Sequence, residues 1–242
     1  MRIDVLMSAR GLAGSRTDAK NLIAEGLVFI GEKQVAKPAL DVPEDADIRV
    51  VKIEERFASR GGLKLSAALE HFGVDPQDRY CLDVGASSGG FTDCLLKRGA
   101  ARVIAVDAGS GQMIERLRAD IRVLVIENFN ARYMKPSDLE YSPTLAVMDV
   151  SFISATLIAP ALSECLLPGA ELILLIKPQF EVGREYISKG GIVKNDAAIK
   201  RAVDKVIAAF SAVGFDYVDI MSSPILGGDG NRELLALFRR RS

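Results

Sequence analysis

"DVGASSGGFT", residues 83–92, follows the apolar run "YCLDV" and leads into a helical pattern, "FTDCLLKRGA". A glycine loop between a strand and a helix is where open α/β sheets hold a ligand, beyond the carboxyl ends of their strands. The chain around the loop supports that architecture. From residue 63 onward the strand candidates are "RYCLDV", "RVIAVD", "RVLVIE", "TLAVMDV", "ELILLIK", "DYVDIM" and "ELLALF". Helical runs, such as 154–167 and 196–213, lie between most of them. Strands that are apolar almost throughout are buried on both faces, which implies a mostly parallel sheet. The expected fold is therefore α/β, with a Rossmann-like sheet of seven strands over residues 63–242.

Residues 1–52 differ in style. Ser15 is placed to cap a helix in "RTDAKNLIAEG", with Asp18 three residues on as a capping-box partner. Ala19, Leu22 and Ile23 form its apolar stripe, and Gly26 ends it. Short strands with turn signals at Gly31, Pro38 and Pro43 follow. This predicts a small α+β domain of two helices and a sheet. Its first 40 residues carry six Lys or Arg against four Asp or Glu. Arg16 and Lys20, four apart, project from one helix side, and Arg10 precedes the cap. Residues 53–62 read as a linker.

The 242 residues are 49% hydrophobic with a net charge of −1, so no global field draws the chain to nucleic acid, and any RNA surface must be local. Three cysteines, Cys81, Cys94 and Cys165, form no C-x-x-C pair. They read as reduced, buried thiols of a cytoplasmic protein. No Cys/His cluster suggests a metal. The longest apolar region, "LIAPALSECLLPGAELILLI", is broken by Glu164, Pro168, Gly169 and Glu171, so it predicts helix, turn and strand, not a membrane span. The amino terminus lacks the apolar core of a signal peptide.

Which ligand does the loop hold? The dinucleotide fingerprint needs glycine at 87, where Ser87 stands. The P-loop pattern fits Gly85, Gly90 and Thr92, but Phe91 occupies the place of the lysine that would neutralise phosphate. Asp83, just before the loop, would repel phosphate. An acidic strand end suits a cationic ligand without phosphate, and S-adenosyl-L-methionine has an ammonium and a sulfonium. Asp83, Gly85, Ser87, Gly89, Gly90 and Phe91 are then the expected cradle for its methionine end. Asp107, closing the next strand, is placed to take ribose hydroxyls. Glu127, Asn128 and Asn130, closing the third, are the candidates for the adenine edge.

The methyl acceptor can be narrowed by elimination. Base-amino methyltransferases place a D/N-P-P-Y/F/W stretch after the fourth strand; Asp149-Val150-Ser151-Phe152 has no prolines. Carbon methylation of cytosine needs a cysteine at this edge, and Cys94 and Cys165 both fall inside helices. The lone histidine, His71, lies near a helix end and reads as structural. Lys177 ends an apolar strand at the ligand edge. Desolvation there would make it a better base, a neighbouring carboxylate would oppose that, and Asp149 could orient it.

Two resemblances add to this. Residues 1 to about 50, above all "SRTDAKNLIAEGLVFIG", resemble the RNA-binding module named after the fourth protein of the small ribosomal subunit, which implies a structured-RNA partner. "SRGGLKL", "LDVGASSGGFTDCLLKRGA", "DVSFIS", "KPQFEVGRE" and "SPILGGDGNRELL" together resemble the TlyA, or hemolysin A-like, ribosomal RNA 2′-O-methyltransferases, whose catalytic domain is similar to that of FtsJ (RrmJ). The resemblance covers essentially the whole chain. It implies a Lys-Asp-Lys-Glu tetrad, carried here by Lys64, Asp149, Lys177 and Glu233. It gives Asp149 and Glu233 the task of setting the charge and orientation of Lys177, and Lys64 that of steadying the substrate. It implies ribosomal RNA or a ribosomal subunit as partner, a cytidine ribose as acceptor and 23S as the target, since the chain resembles the shorter members. Ser88 departs from the threonine of many members, and "ENFNAR" varies the segment near adenine. Arg60 in the linker and Arg184, Lys189 and Lys194 in "VGREYISKGGIVKND" are the further candidates for RNA phosphates. A non-catalytic RNA-binding or assembly factor, a membrane-active hemolysin and a nucleotide-dependent oxidoreductase are the rival readings.

Overall fold

A computed structural model describes residues 1–24, 26–31, 33–50 and 57–241. Chain contacts divide it into two units, Met1–Arg56 and Phe57–Ser242.

In the smaller unit, α1 (Ile3–Ala9) and α2 (Arg16–Ala24) precede a three-stranded antiparallel sheet of β1 (Val28–Ile30), β2 (Lys33–Gln34) and β3 (Ile48–Val50), in the order β2-β1-β3. The Ser15 hydroxyl caps α2 by accepting from the Asp18 N–H at 3.0 Å. The reciprocal bond differs from a capping box: the Asp18 carboxylate accepts from Gly14 N–H at 2.8 Å, one residue earlier than Ser15. Ile3, Met7, Ala19, Ile23 and Val28 form its core.

The larger unit runs α3 (Gly61–Phe72), β4 (Tyr80–Val84), α4 (Gly90–Lys97), β5 (Arg102–Val106), α5 (Glu115–Arg118), β6 (Val123–Ile126), β7 (Leu145–Met148), α6 (Ala159–Cys165), β8 (Glu171–Ile176), α7 (Pro178–Glu181), α8 (Asp196–Ala212), β9 (Phe215–Ser222) and β10 (Leu234–Arg240). The sheet order is β6-β5-β4-β7-β8-β10-β9. β4 to β8 are parallel, and β10 runs antiparallel between β8 and β9. The chain leaves β4 toward β5 and β6, then returns to β7 on the other side. That reversal opens a crevice beyond the ends of β4 and β7.

Alternate residues of each strand serve two cores. Leu82, Ile104, Ala146, Met148 and Leu174 pack with α6 and α8, where Phe210 is fully buried. Cys81, Val103, Val147, Ile173 and Leu175 pack with Leu65 and Leu69 of α3 and Leu95 of α4. All three cysteines are buried and outside any disulfide; burial pushes the thiols of Cys81 and Cys165 up to about 12 and about 11. The helical run expected over 154–167 is interrupted. Ala155–Leu157 form a 3₁₀ turn, and α6 starts with Pro160 in its first turn, where a missing N–H costs no hydrogen bond.

The segment expected as a linker, 53–62, belongs in part to the larger unit. Residues 53–56 lie outside the described residues. Phe57 is so close to Gly62 that a Cβ there would come within 2.3 Å of its side chain. The Ala58 N–H donates to buried Asp93 at 2.7 Å, and Gly61 and Gly62 already open α3. The unit therefore begins at Phe57, ahead of the boundary read at 63. Among the described residues no helix is long and apolar enough to cross a membrane, and no cluster of His, Cys, Asp or Glu could hold a metal.

Candidate active site

Two adjoining cavities open beyond the ends of β4, β5, β7 and β8. The larger, about 500 Å³, is lined by Asp107, Gln112, Phe129, Asn130 and Asp149 among others, with two carboxylates and no basic side chain among its described lining residues. The smaller, about 360 Å³, holds Arg60, Lys64, Lys177 and Glu233. Gly85, Ser87, Asp149, Ser151 and Phe152 border both. Each lies in the size range of small-molecule sites.

The glycine loop builds the shared wall. Gly85 has φ +86°, and a Cβ there would meet the Asp149 carbonyl oxygen at 2.4 Å. β4 and β7 can converge at the crevice only because residue 85 lacks a side chain. Gly85→Ala is expected to weaken cofactor binding at least about tenfold through left-handed strain and this clash. Titration calorimetry checks it; an unchanged Kd would show that the loop yields freely. The Asp107 carboxylate is fixed by two backbone donors, Ser87 N–H and Gly109 N–H, each at 2.7 Å. It faces the larger cavity at the expected end of β5. The Ser87 hydroxyl donates to Gln112 at 2.8 Å, a lining residue that no sequence pattern had marked.

Asp83 is not where direct contact with a ligand would need it. Its side chain is fully buried under the loop and accepts from the Thr92 hydroxyl at 2.6 Å, while Oδ1 has no partner. Burial, helped by Asp149 and Asp107, pushes its carboxyl up to about 7 against the lowering hydrogen bond of Thr92. A carboxyl raised from 3.8 binds its proton more tightly folded than unfolded, so its contribution is lost as pH rises from about 4 through about 7. The stability of Asp83→Asn relative to the parent is expected to rise across that window. Thermal unfolding at pH 5 and pH 8 measures it; equal differences at both would place the proton elsewhere.

Of the three adenine candidates only Asn130 lines the larger cavity. The Glu127 carboxylate is turned to Arg118 and to the Gly111 N–H, at 2.9 Å from the latter. Asn128 is exposed, with φ +55°. Phe129, between them, supplies an apolar wall that polarity at a strand end does not reveal. Gly89 caps α4 rather than lining either cavity, while Gly90 and Phe91 border the smaller one.

Four charged residues meet around the smaller cavity as two pairs. Lys177 follows β8 directly, and its Nζ lies 2.6 Å from Asp149 Oδ1, beyond the end of the neighbouring β7. That is a charge contact without hydrogen-bond alignment. The hydrogen bond from Lys177 goes to the Ser151 hydroxyl at 2.7 Å. Lys64, in the first turn of α3, pairs with Glu233 at 2.5 Å, and both side chains are at most 5% exposed. This corrects one expectation: Glu233 is engaged with Lys64, not set against Lys177, because it enters the sheet beside α3 just before β10. Asn231, 1% exposed, fixes that entry. It accepts from Val193 N–H at 2.9 Å and donates to the Gly191 carbonyl at 3.0 Å. Asn231 thus ties the 187–193 hairpin to the Glu233 segment. Arg184, Lys189 and Lys194 are exposed on or beside that hairpin. Phe152, missed in the sequence, is 92% exposed at φ +63°, with its ring 5.3 Å from that of Phe180.

In the smaller unit, Arg10 donates to the carbonyls of Glu44 and Ala46. Arg16 lies 3.4 Å from Asp4, whose carboxyl Arg2 and Arg16 hold below the usual range. Lys20 is exposed on the same helix.

A crevice at the strand reversal, a glycine loop and a carboxylate-lined pocket with no cation for phosphate define an S-adenosyl-L-methionine-dependent methyltransferase. The residues fit that cofactor: Asp107 for hydroxyls, Phe129 and Asn130 for a base, and carboxylates near a cationic centre. Comparison with known proteins agrees. Residues 57–240 match the family described as FtsJ-like methyltransferase, and residues 1–48 match the S4 domain. The 16S/23S rRNA (cytidine-2′-O)-methyltransferase TlyA of Mycobacterium tuberculosis is 41% identical, covering 100% of this chain and 90% of the relative. Hemolysin A of Brachyspira hyodysenteriae is 41% identical over 98% and 99%. The 23S rRNA (cytidine-2′-O)-methyltransferase TlyA of Campylobacter jejuni is 33% identical over 96% and 97%. A solved structure from Streptococcus thermophilus, described as a hemolysin, superposes with a TM-score of 0.78 at 40% identity, covering 100% of this chain and 89% of that one. The chain belongs to the TlyA family of FtsJ-like methyltransferases.

Proposed function

We propose that this protein methylates the 2′-oxygen of a cytidine ribose in ribosomal RNA, with 23S rRNA as the expected substrate. The observation that carries the reading is the pairing of two cavities. One is acidic, with no cation among its described lining residues; the other presents Lys177, Lys64 and Arg60, with Asp149 and Ser151 in the wall between. The cofactor, when bound, supplies an electrophilic methyl group on a sulfonium. Lys177 holds or accepts the proton of the ribose hydroxyl, a weak nucleophile that needs a base or close positioning. Asp149 orients Lys177. The Lys64–Glu233 pair steadies the ribose or its phosphate. Phe152 offers an exposed ring face to a nucleotide base. Arg184, Lys189 and Lys194, with the S4 unit and its Arg16 and Lys20, supply cations for RNA phosphates. The M. tuberculosis and C. jejuni relatives carry the matching activity in their names. A ribosomal substrate and three cysteines outside any disulfide support a cytoplasmic location.

The test is labelled-methyl transfer from S-adenosyl-L-methionine to ribosomal subunits from cells lacking this protein. Label in an alkali-stable dinucleotide is the expected result, because a methylated 2′-oxygen cannot attack its phosphate. Alkali-labile label would move the acceptor to a base. No label on either subunit, with cofactor binding intact, would favour a non-catalytic RNA-binding role.

A further inference from the structure

Lys177 precedes α7, a single helical turn, and Glu181 closes it. Both residues reach the same neighbouring segment. Lys177 contacts Asp149 and Ser151 at its start. The Glu181 carboxylate, 2% exposed, takes its far end: Ser154 Oγ donates to Oε2 at 2.5 Å and Ala155 N–H to Oε1 at 2.7 Å. Lys205 of α8 adds a charge at 3.5 Å and donates to the Glu181 carbonyl at 3.1 Å. Between these anchors the chain must turn sharply, and it does so at Phe152, a non-glycine residue held at positive φ. Such a conformation persists only where its surroundings impose it.

We propose that Glu181 is a positioning residue for the acceptor: it staples the 149–155 segment so that Phe152 and Ser151 face the reacting centre. This rests on the RNA-methylating role proposed above. A buried carboxylate is costly unless its lone pairs are filled. Here a hydroxyl, an amide and an ammonium fill them, and a group that only accepts suits three donors. Glutamine can keep the two bonds to the segment, with its oxygen toward Ala155 N–H and its amide toward Ser154 Oγ, since a hydroxyl can also accept, while the half-exposed Lys205 turns to solvent. Alanine cannot.

The test compares Glu181→Ala and Glu181→Gln in the full chain, with Ser154→Ala as a milder cut of the same clasp. Hydrogen exchange of residues 150–157 is read by mass spectrometry, beside kcat and the KM for RNA. Glu181→Ala is expected to speed exchange in that segment and lower kcat about 30-fold, as misplaced reacting groups do. The KM for RNA should rise by less than kcat falls, because the cations for its phosphates lie on other segments, and the Kd for cofactor should rise modestly, since residues 149–153 also line the larger cavity. Glu181→Gln should restore kcat to within about threefold, and Ser154→Ala should lower it about fivefold. Unchanged exchange at 150–157, or a change in KM alone, overturns the proposal. If Glu181→Ala does not fold, Ser154→Ala decides: no effect on kcat or exchange overturns it. If the parent methylates no ribosomal RNA, the functional reading fails, while the exchange measurement still tests the staple.

Discussion

Replacing Lys177 by alanine is expected to lower methyl transfer about 10³-fold, in the range of a lost general base, while cofactor affinity stays within about twofold. The geometry separates the two effects. Lys177 lines the smaller cavity only, so the larger one keeps its full wall. Its removal also leaves Asp149 without its cationic partner at 2.6 Å, and Ser151 without its hydrogen bond. Arginine should not rescue it: a guanidinium is fixed in charge and cannot accept a proton. Single-turnover methyl transfer at saturating RNA reads the chemical step directly. A loss confined to RNA affinity would reassign Lys177 to phosphate binding.

The Lys64–Glu233 pair predicts the largest effect on stability. Both side chains are nearly inaccessible and 2.5 Å apart, so Lys64→Met leaves a buried, unpaired carboxylate. That should cost about 3–5 kcal/mol, whereas the double change Lys64→Met with Glu233→Leu should fall within about 2 kcal/mol of the parent. Denaturant unfolding of the two singles and the double closes the cycle. The double variant is expected to fold and bind cofactor yet transfer no methyl group. Equal destabilisation in all three would mean that the cavity wall, not the charge, is what the pair maintains.

The architecture was legible because parallel strands buried on both faces leave long apolar runs. "RVIAVD" and "ELILLIK" need no partner to be recognised. The loop was legible for a similar reason, since Gly85 stands where only glycine lets β4 approach β7. What sequence could not show was partnership across strands. Lys64 and Glu233 are 169 residues apart, and nothing local says that Glu233 meets Lys64 rather than Lys177. Phe152 looked like any apolar residue; its positive φ comes from anchors at Lys177 and Glu181. Glu127 has the polarity expected of an adenine contact at a strand end, yet Arg118 and the Gly111 amide are its donors. Asn231 and Glu181 carried no signal beyond being polar residues inside recognisable motifs, and their importance lies in the buried donors around them.

The last strand in chain order, β10, is laid between β8 and β9 rather than at the rim of the sheet. During synthesis β9 leaves the ribosome before the strand that must join it to the rest. β9 joins the sheet only through β10, which pairs with both β8 and β9. Glu233 arrives with that final insertion, and so does the clasp on Lys64. The cleft is therefore closed by the strand that comes after all its neighbours in chain order, and a chain interrupted before residue 233 would lack an inner stave of the sheet together with half of its buried ion pair.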